Sequence, residues 1–256
     1  MDLSSIYKKA QNYKIHFFYG EIDVIAYFEF SDGVFLLGKT GEETELLWGV
    51  NKISALIKGL KVIKKRYKGE FIFRYAGSIN DVIDKKKIIN RYGYTLGKTH
   101  IAYFCQQIKG FDIDSDGIFN LQKNEIDDLL KVEKLLFTEF NITKAELITW
   151  LNDEDYIILT YKADNQILGF IVINVYGKSN CFIRNIGVIN SKRQQGIGTK
   201  LLLSGLNKAL DKGINKAMLW VEINNIGARK LYEKFGFIKD ENEVEVVFKV
   251  VEENKG

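Results

Sequence analysis

The stretch from Phe182 to Leu210 leaves this chain few ways to fold. Phe182-Ile-Arg-Asn-Ile-Gly-Val-Ile189 is apolar and β-branched, the composition of a buried strand. Leu201, Leu202, Leu206 and Leu210 then recur at helical spacing, with lysines and an aspartate between them. Strand and helix are joined by polar and basic residues and two glycines, Gly196 and Gly198, at positions where side chains would screen the amides that open the helix. The first N–H groups of a helix lack internal partners, and the dipole adds about half a positive charge there, so phosphate is the expected guest.

A Gly-x-Gly pair alone often does no more than relieve a tight turn. Here it sits in a tighter frame: Arg193-Gln-Gln-Gly196-Ile-Gly198 reads R-x-x-G-x-G, follows a strand, and is succeeded by Asn225-Ile-Gly-Ala-Arg-Lys-Leu-Tyr232-Glu-Lys-Phe-Gly236-Phe237. Together the two segments resemble the pyrophosphate loop and the second signature of the GNAT family of acyl-CoA N-acyltransferases, over about residues 118–250. Arg184-Asn-Ile-Gly-Val188 and Leu219-Trp-Val-Glu222 are closest in texture to the branch that acetylates ribosomal-protein N-termini. The chain departs from the family pattern in two places: the proline common before the loop is absent, and Trp220 stands where that branch carries a glutamate.

The resemblance implies an α+β fold, a mixed and mainly antiparallel sheet flanked by helices. It also implies acetyl-CoA as co-substrate and an amine as acceptor. Backbone amides near Ile186, Gly187 and Val188 would hold pantetheine and polarise the acyl carbonyl. Arg193, Gln194, Gln195, Gly196, Ile197, Gly198, Thr199 and Lys200 would hold the pyrophosphate. Asn225 would hydrogen-bond pantetheine while capping the next helix; as a bare sequence feature, an N-cap alone would explain it. Tyr232 would protonate the leaving thiolate, since its ordinary pKa near 10 keeps it a donor at neutral pH. Glu222, on the same strand face as Trp220, would take the amine's proton through water or else be a structural carboxylate.

With 256 residues, 46% hydrophobic and 27% charged, the chain is long enough for one large domain or two ordinary ones. The net charge of +4 falls entirely in residues 1–118. So mild a bias fits small acidic molecules rather than nucleic acid, which calls for a denser basic stripe. Cys105 and Cys181 lie far apart in apolar strand contexts, and His16 and His100 are isolated, which argues against a disulfide framework and a zinc site. Asp112, Asp114, Asp116 and Gly117 open like a calcium loop, but its twelfth position is Lys123, where a bidentate glutamate is needed, so no metal is expected. No h-region opens the chain and no apolar run approaches the ~20 residues of a membrane span, so a cytoplasmic protein without a membrane partner is expected. It would be a monomer or a homodimer.

Along the chain, periodicity predicts a helix at 3–12, a meander of strands at 14–19, 24–30 and 34–37, and a helix from Ile53 ending in Lys64-Lys-Arg-Tyr-Lys-Gly69. A strand at 71–75, a helix at 81–91 and an extended stretch at 95–108 come next. Helices at 123–137 and 143–151, strands at 156–161, 167–175 and 181–189, a helix at 196–212, a strand at 216–222, a helix at 225–235 and a closing strand at 243–251 complete the second half. An internal repeat emerges. Phe71 to Tyr94 repeats the order strand, helix, Gly-aromatic of Ala217 to Phe237, with Ile88-Ile-Asn-Arg-Tyr-Gly-Tyr94 set against Leu231-Tyr-Glu-Lys-Phe-Gly-Phe237. In the first copy Ile89 replaces the tyrosine, and Val50-Asn51-Lys52 stands where the glycine loop should be.

The expected organisation is two tandem copies: a degenerate GNAT-like domain at 1–110 without a cofactor loop, a linker at 111–122, and an acetyltransferase domain at 118–256. A chain beginning near Gly117 should then keep cofactor binding. The activity read from this is transfer of an acetyl group to a primary amine, either on a small molecule or at a protein N-terminus or lysine. A non-catalytic acyl-CoA sensor or interaction module is the alternative.

Overall fold

The computed structural model describes residues 2–19, 22–40, 43–137 and 141–250, and within them seven α-helices and twelve strands. The fold is mixed α+β, with mainly antiparallel strand pairs. The chain divides into two compact units, Met1–Ile101 with the segment from Glu241, and Ala102–Asp240.

The first unit contains α1 (Leu3–Gln11), β1 (Ile15–Phe17), β2 (Asp23–Phe30), β3 (Gly33–Thr40), β4 (Glu43–Val50), α2 (Ile53–Arg66), β5 (Phe71–Gly77) and α3 (Ile79–Asn90). Its strands run in the order β2-β3-β4-β5-β12, where β12 is Ile238–Val250. β4 was not expected from the sequence. It is almost wholly buried, so it shows no alternation, and Glu45 breaks its apolar run. That glutamate is buried because the Arg74 guanidinium pairs with it and, at 3.2 Å, with Glu245. Helix α2 buries Leu56, Ile57, Leu60 and Ile63 and carries Lys64, Lys65 and Arg66 in its last turn, where cations favour the dipole.

One expectation for this unit is corrected. β1 does not join the predicted meander but pairs antiparallel with β4, Ile15 opposite Val50, His16 opposite Gly49 and Phe17 opposite Trp48. The Gly20 expected to separate the first two strands, and residue 251 at the end of the closing strand, lie outside the described residues.

The second unit contains the end of β6 (Thr95–Cys105), then β7 (Ile118–Asn120), α4 (Ile126–Leu136), α5 (Lys144–Leu151), β8 (Tyr156–Ala163), β9 (Gln166–Tyr176), β10 (Asn180–Val188), α6 (Ile197–Asp211), β11 (Lys216–Glu222) and α7 (Ile226–Lys234). Its strand order is β6-β11-β10-β9-β8-β7. The β8–β9 hairpin turns at Asp164 and Asn165, both with positive φ, the left-handed pair that a tight turn of right-handed twist requires. Thr143 and Glu146 close a capping box at the start of α5. Leu201, Leu202, Leu203 and Leu206 of α6 are buried, each worth about 1.5–3 kcal/mol of burial.

The division differs from the expected 1–110 and 118–256. The closing strand pairs not with its own half but with β5 of the first unit, Val244 opposite Gly77 through Val250 opposite Phe71. The strand after α3 in turn supplies the neighbour of β11. The stretch expected as a linker holds β7, which pairs with β8. Side-chain parity tells which face of a strand is buried but not which strand lies beside it, so this exchange left no mark in the pattern.

Candidate functional site

β10 and β11 run parallel, with pairs from Asn180 opposite Lys216 to Ile183 opposite Leu219. The ladder between β10 and β9 then shifts register between Ile183 and Asn185, a bulge at Arg184, and continues through Ile186 opposite Ile171, Gly187 opposite Phe170 and Val188 opposite Gly169. A bulge bends its strand and re-aims the residues beyond it. Among the described residues the pairs with β11 end at Ile183, so Ile186, Gly187 and Val188 are laddered to β9 and run on past the last β11 pair. Leu136 and Phe137, at the end of α4, lie close over Gly187, where a Cβ would meet Leu136 at 2.7 Å.

After Val188 the chain makes a 3-10 turn at Asn190–Lys192, and Arg193 donates from Nε to the Val188 carbonyl at 3.1 Å, tying the loop back to the strand end. Gln194 has φ 62°. Gly196, the N-cap of α6, sits in the left-handed region at φ 80° and has no side chain to cap the next amides. The first intrahelical bond runs from the Lys200 N–H to the Gly196 carbonyl at 2.9 Å, so the N–H groups of Ile197, Gly198 and Thr199 precede the helical ladder. A Cβ on Gly198 would meet only Val188 and Leu231, both at 3.8 Å, so strand end, loop and α7 converge there. Lys200 is turned sideways: its ammonium binds Asp114 at 2.7 Å and the Asp116 carbonyl at 3.4 Å, holding Asp114 below the usual carboxylate range. The aspartates that resemble a calcium loop thus dock on α6, and among the described residues no group of three or more His, Cys, Asp or Glu gathers as a metal site.

α7 comes after the turn that ends β11. Asn225 caps it, its Oδ1 accepting from the Ala228 N–H at 3.2 Å, and its own N–H donates to the Glu222 carbonyl at 2.9 Å. Glu222 is half-buried at the end of β11. Tyr232 is 5% exposed, its ring 6.3 Å from that of Tyr103 and 5.8 Å from that of Phe237. Burial raises its pKa well above the ordinary value, so the hydroxyl stays protonated. Tyr103, on β6, was not anticipated as part of this region. Its hydroxyl donates to Glu233 at 2.7 Å and accepts from Arg229 Nε at 3.0 Å. The i,i+4 spacing of Arg229 and Glu233 was readable, but their shared partner lies in a distant strand with no local signal.

Residues 124–237 match the model described as the Acetyltransferase (GNAT) family. The mycothiol acetyltransferase of Corynebacterium efficiens is 29% identical over 103 residues, which are 40% of this chain and 34% of that protein. The chain thus spans about a third of the length of the curated relatives it matches. A GCN5-related N-acetyltransferase from Sphaerobacter thermophilus superposes with a TM-score of 0.60 at 12% identity, over 86% of this chain and 80% of that one. A functionally unknown conserved protein from Staphylococcus epidermidis superposes at 0.61 with 16% identity, over 90% and 94%.

Proposed function

We propose that this chain, whose residues 124–237 match the model of the Acetyltransferase (GNAT) family, is an acetyltransferase that uses acetyl-CoA to acetylate a primary amine, on a small molecule or at a protein N-terminus or lysine. The observation that carries the reading is the start of α6: an N-terminus opened by Gly196 and Gly198, beside a β10 end that runs past its last pair with β11. Bound acetyl-CoA would supply a thioester; the acceptor nitrogen bonds to the acetyl carbon, the C–S bond breaks, the amine loses a proton and CoA leaves as a thiolate.

The N–H groups of Ile197, Gly198 and Thr199, with the positive end of the helix dipole, suit the pyrophosphate. Arg193 then acts by shaping the loop through Val188, and Lys200 by anchoring the 111–117 segment. The backbone of Ile186–Val188 suits pantetheine and the acyl carbonyl, where fixed donors stabilise developing negative charge. Tyr232 is the proposed donor to the departing sulfur. A hydroxyl with so raised a pKa is a weaker acid than a thiol, whose ordinary value is about 8.5. Its contribution is therefore a hydrogen bond to the developing thiolate rather than complete proton transfer. Glu222 is the proposed carboxylate on the acceptor side. The first unit is proposed to be a second copy of the fold that binds no acyl-CoA.

The test is thermal stabilisation by acetyl-CoA, followed by thiol release with a panel of polyamines, amino sugars and a short peptide with a free N-terminus. Stabilisation together with amine-dependent thiol release is the expected result. Stabilisation without release from any amine would leave a binding protein, and no stabilisation would remove the site.

A further inference from the structure

Helix α7 is short and poorly held by apolar contact: of its nine residues, only Tyr232 is buried. So short a helix has little stability of its own, and its rotation about its axis must be set from outside. Two of the polar contacts that do so meet at one atom. The Tyr103 hydroxyl is met by Arg229 and Glu233, one turn apart on α7, at 3.0 and 2.7 Å, and Arg229 reaches back with Nη1 to the Ile223 carbonyl at 2.8 Å, in the turn that launches the helix. Tyr103 itself is fully buried in β6, so the anchor is rigid. Its single proton is given to Glu233 while a lone pair accepts from Arg229, an arrangement that fixes both ring and helix and that no other side-chain type of this shape supplies.

We infer that Tyr103 is a positioning residue, holding α7 so that the Tyr232 hydroxyl is aimed for acetyl transfer. The inference rests on the proposed role of Tyr232. Tyr232 lies in the same turn of α7 as Arg229 and Glu233, and its ring is 6.3 Å from that of Tyr103, so losing the anchor lets the donor turn away while the phosphate-facing end of α6 stays intact. Catalytic groups must be held to within about half an ångström of their productive geometry by the residues that support them.

The experiment is a double-mutant cycle, read as kcat and KM for acetyl-CoA with the fastest amine of the panel. Tyr103→Phe is expected to lower kcat about tenfold while KM for acetyl-CoA stays within twofold, and Glu233→Ala, at an exposed position, is expected to do the same. In a Tyr232→Phe background, Tyr103→Phe should change kcat by less than twofold, because the group it positions is already gone. An unchanged kcat in both single variants overturns the inference, as does an equal loss with and without the Tyr232 hydroxyl, which would mark Tyr103 as structural. A Tyr232→Phe enzyme with wild-type kcat fails differently: it removes the donor assignment itself, and the inference falls with it.

Discussion

The ends of β4 and β10 are built alike and used differently. One closes in Trp48-Gly49-Val50 and the other in Ile186-Gly187-Val188. Each valine faces a glycine of the preceding strand, Gly33 in one case and Gly169 in the other. Before that end, each strand runs parallel to the next for only a few residues, Glu45 and Leu46 with Ile72 and Phe73, or Asn180–Ile183 with Lys216–Leu219. The difference lies in the occupant of the edge left over. In the first unit β1 pairs with Trp48, Gly49 and Val50, and only Asn51 and Lys52 connect β4 to α2. In the second unit the corresponding residues have no such strand among the described residues, and residues 189–196 make a loop ending in a left-handed glycine. Parallel strands that diverge create an opening in either sequence; whether it is a binding site depends on whether the chain fills it with its own backbone.

The comparison breaks most completely if the second unit can stand alone. A chain beginning at Gly117 lacks residues 102–105 beside β11, and with them Tyr103. It is expected to show no cooperative thermal unfolding and no response to acetyl-CoA; a sharp melting transition would mean that β6 is dispensable. Next in size, Gly198→Trp is expected to abolish stabilisation by acetyl-CoA without unfolding the protein, since its Cβ has only ordinary contacts at 3.8 Å. Lys52→Trp, at the start of α2, should leave that stabilisation intact. Calorimetry should count one acetyl-CoA per chain, and a second equivalent site would erase the distinction between the two strand ends.

Tyr232→Phe should lower kcat roughly ten- to a hundredfold, the worth of one hydrogen bond to a charged group, with little change in affinity for acetyl-CoA. Turnover within twofold of wild type would assign the donor elsewhere. In the first unit Ile89, which the proposed second copy sets against Tyr232, is fully buried and has no proton to give.

The smallest effect concerns the charges buried in the first unit. Burial raises the Glu245 carboxyl to about 7 from 4.5, with Arg74 opposing and Glu45 adding to the rise. The folded state therefore holds that proton more tightly than the unfolded chain. Its contribution to stability is complete below pH 4.5 and is lost as pH rises through 7. Glu245→Gln should flatten the pH dependence of urea unfolding across that window and raise stability at pH 8 by about 1–2 kcal/mol. An unchanged slope would show that Arg74 keeps the carboxyl ionised throughout.

How much of the molecule was legible in the sequence depends on how local each constraint is. The loop and α7 could be read because their demands are met within a few residues: Gly196 at positive φ, Asn225 bonded to Ala228, and Gly236 at φ 86° after α7, matched by Gly93 at φ 80° after α3. β4 was missed because its glutamate reads as surface until Arg74, far along the chain, is placed against it. The partner of β1, the seat of the closing strand and the role of Tyr103 all depend on which strand lies beside which, information that hydrophobic alternation does not carry.

The crossed strands also set an order of assembly on the ribosome. A chain emerging from its N-terminus normally lets the first-made portion fold first. Here the earlier unit cannot seat its last strand until Val244–Val250 has been synthesised, whereas the later unit already has residues 102–105 waiting when α7 appears. The portion made first is therefore finished last, and until then β5 presents an open edge to any neighbouring chain, an invitation to mispairing that lasts for most of synthesis.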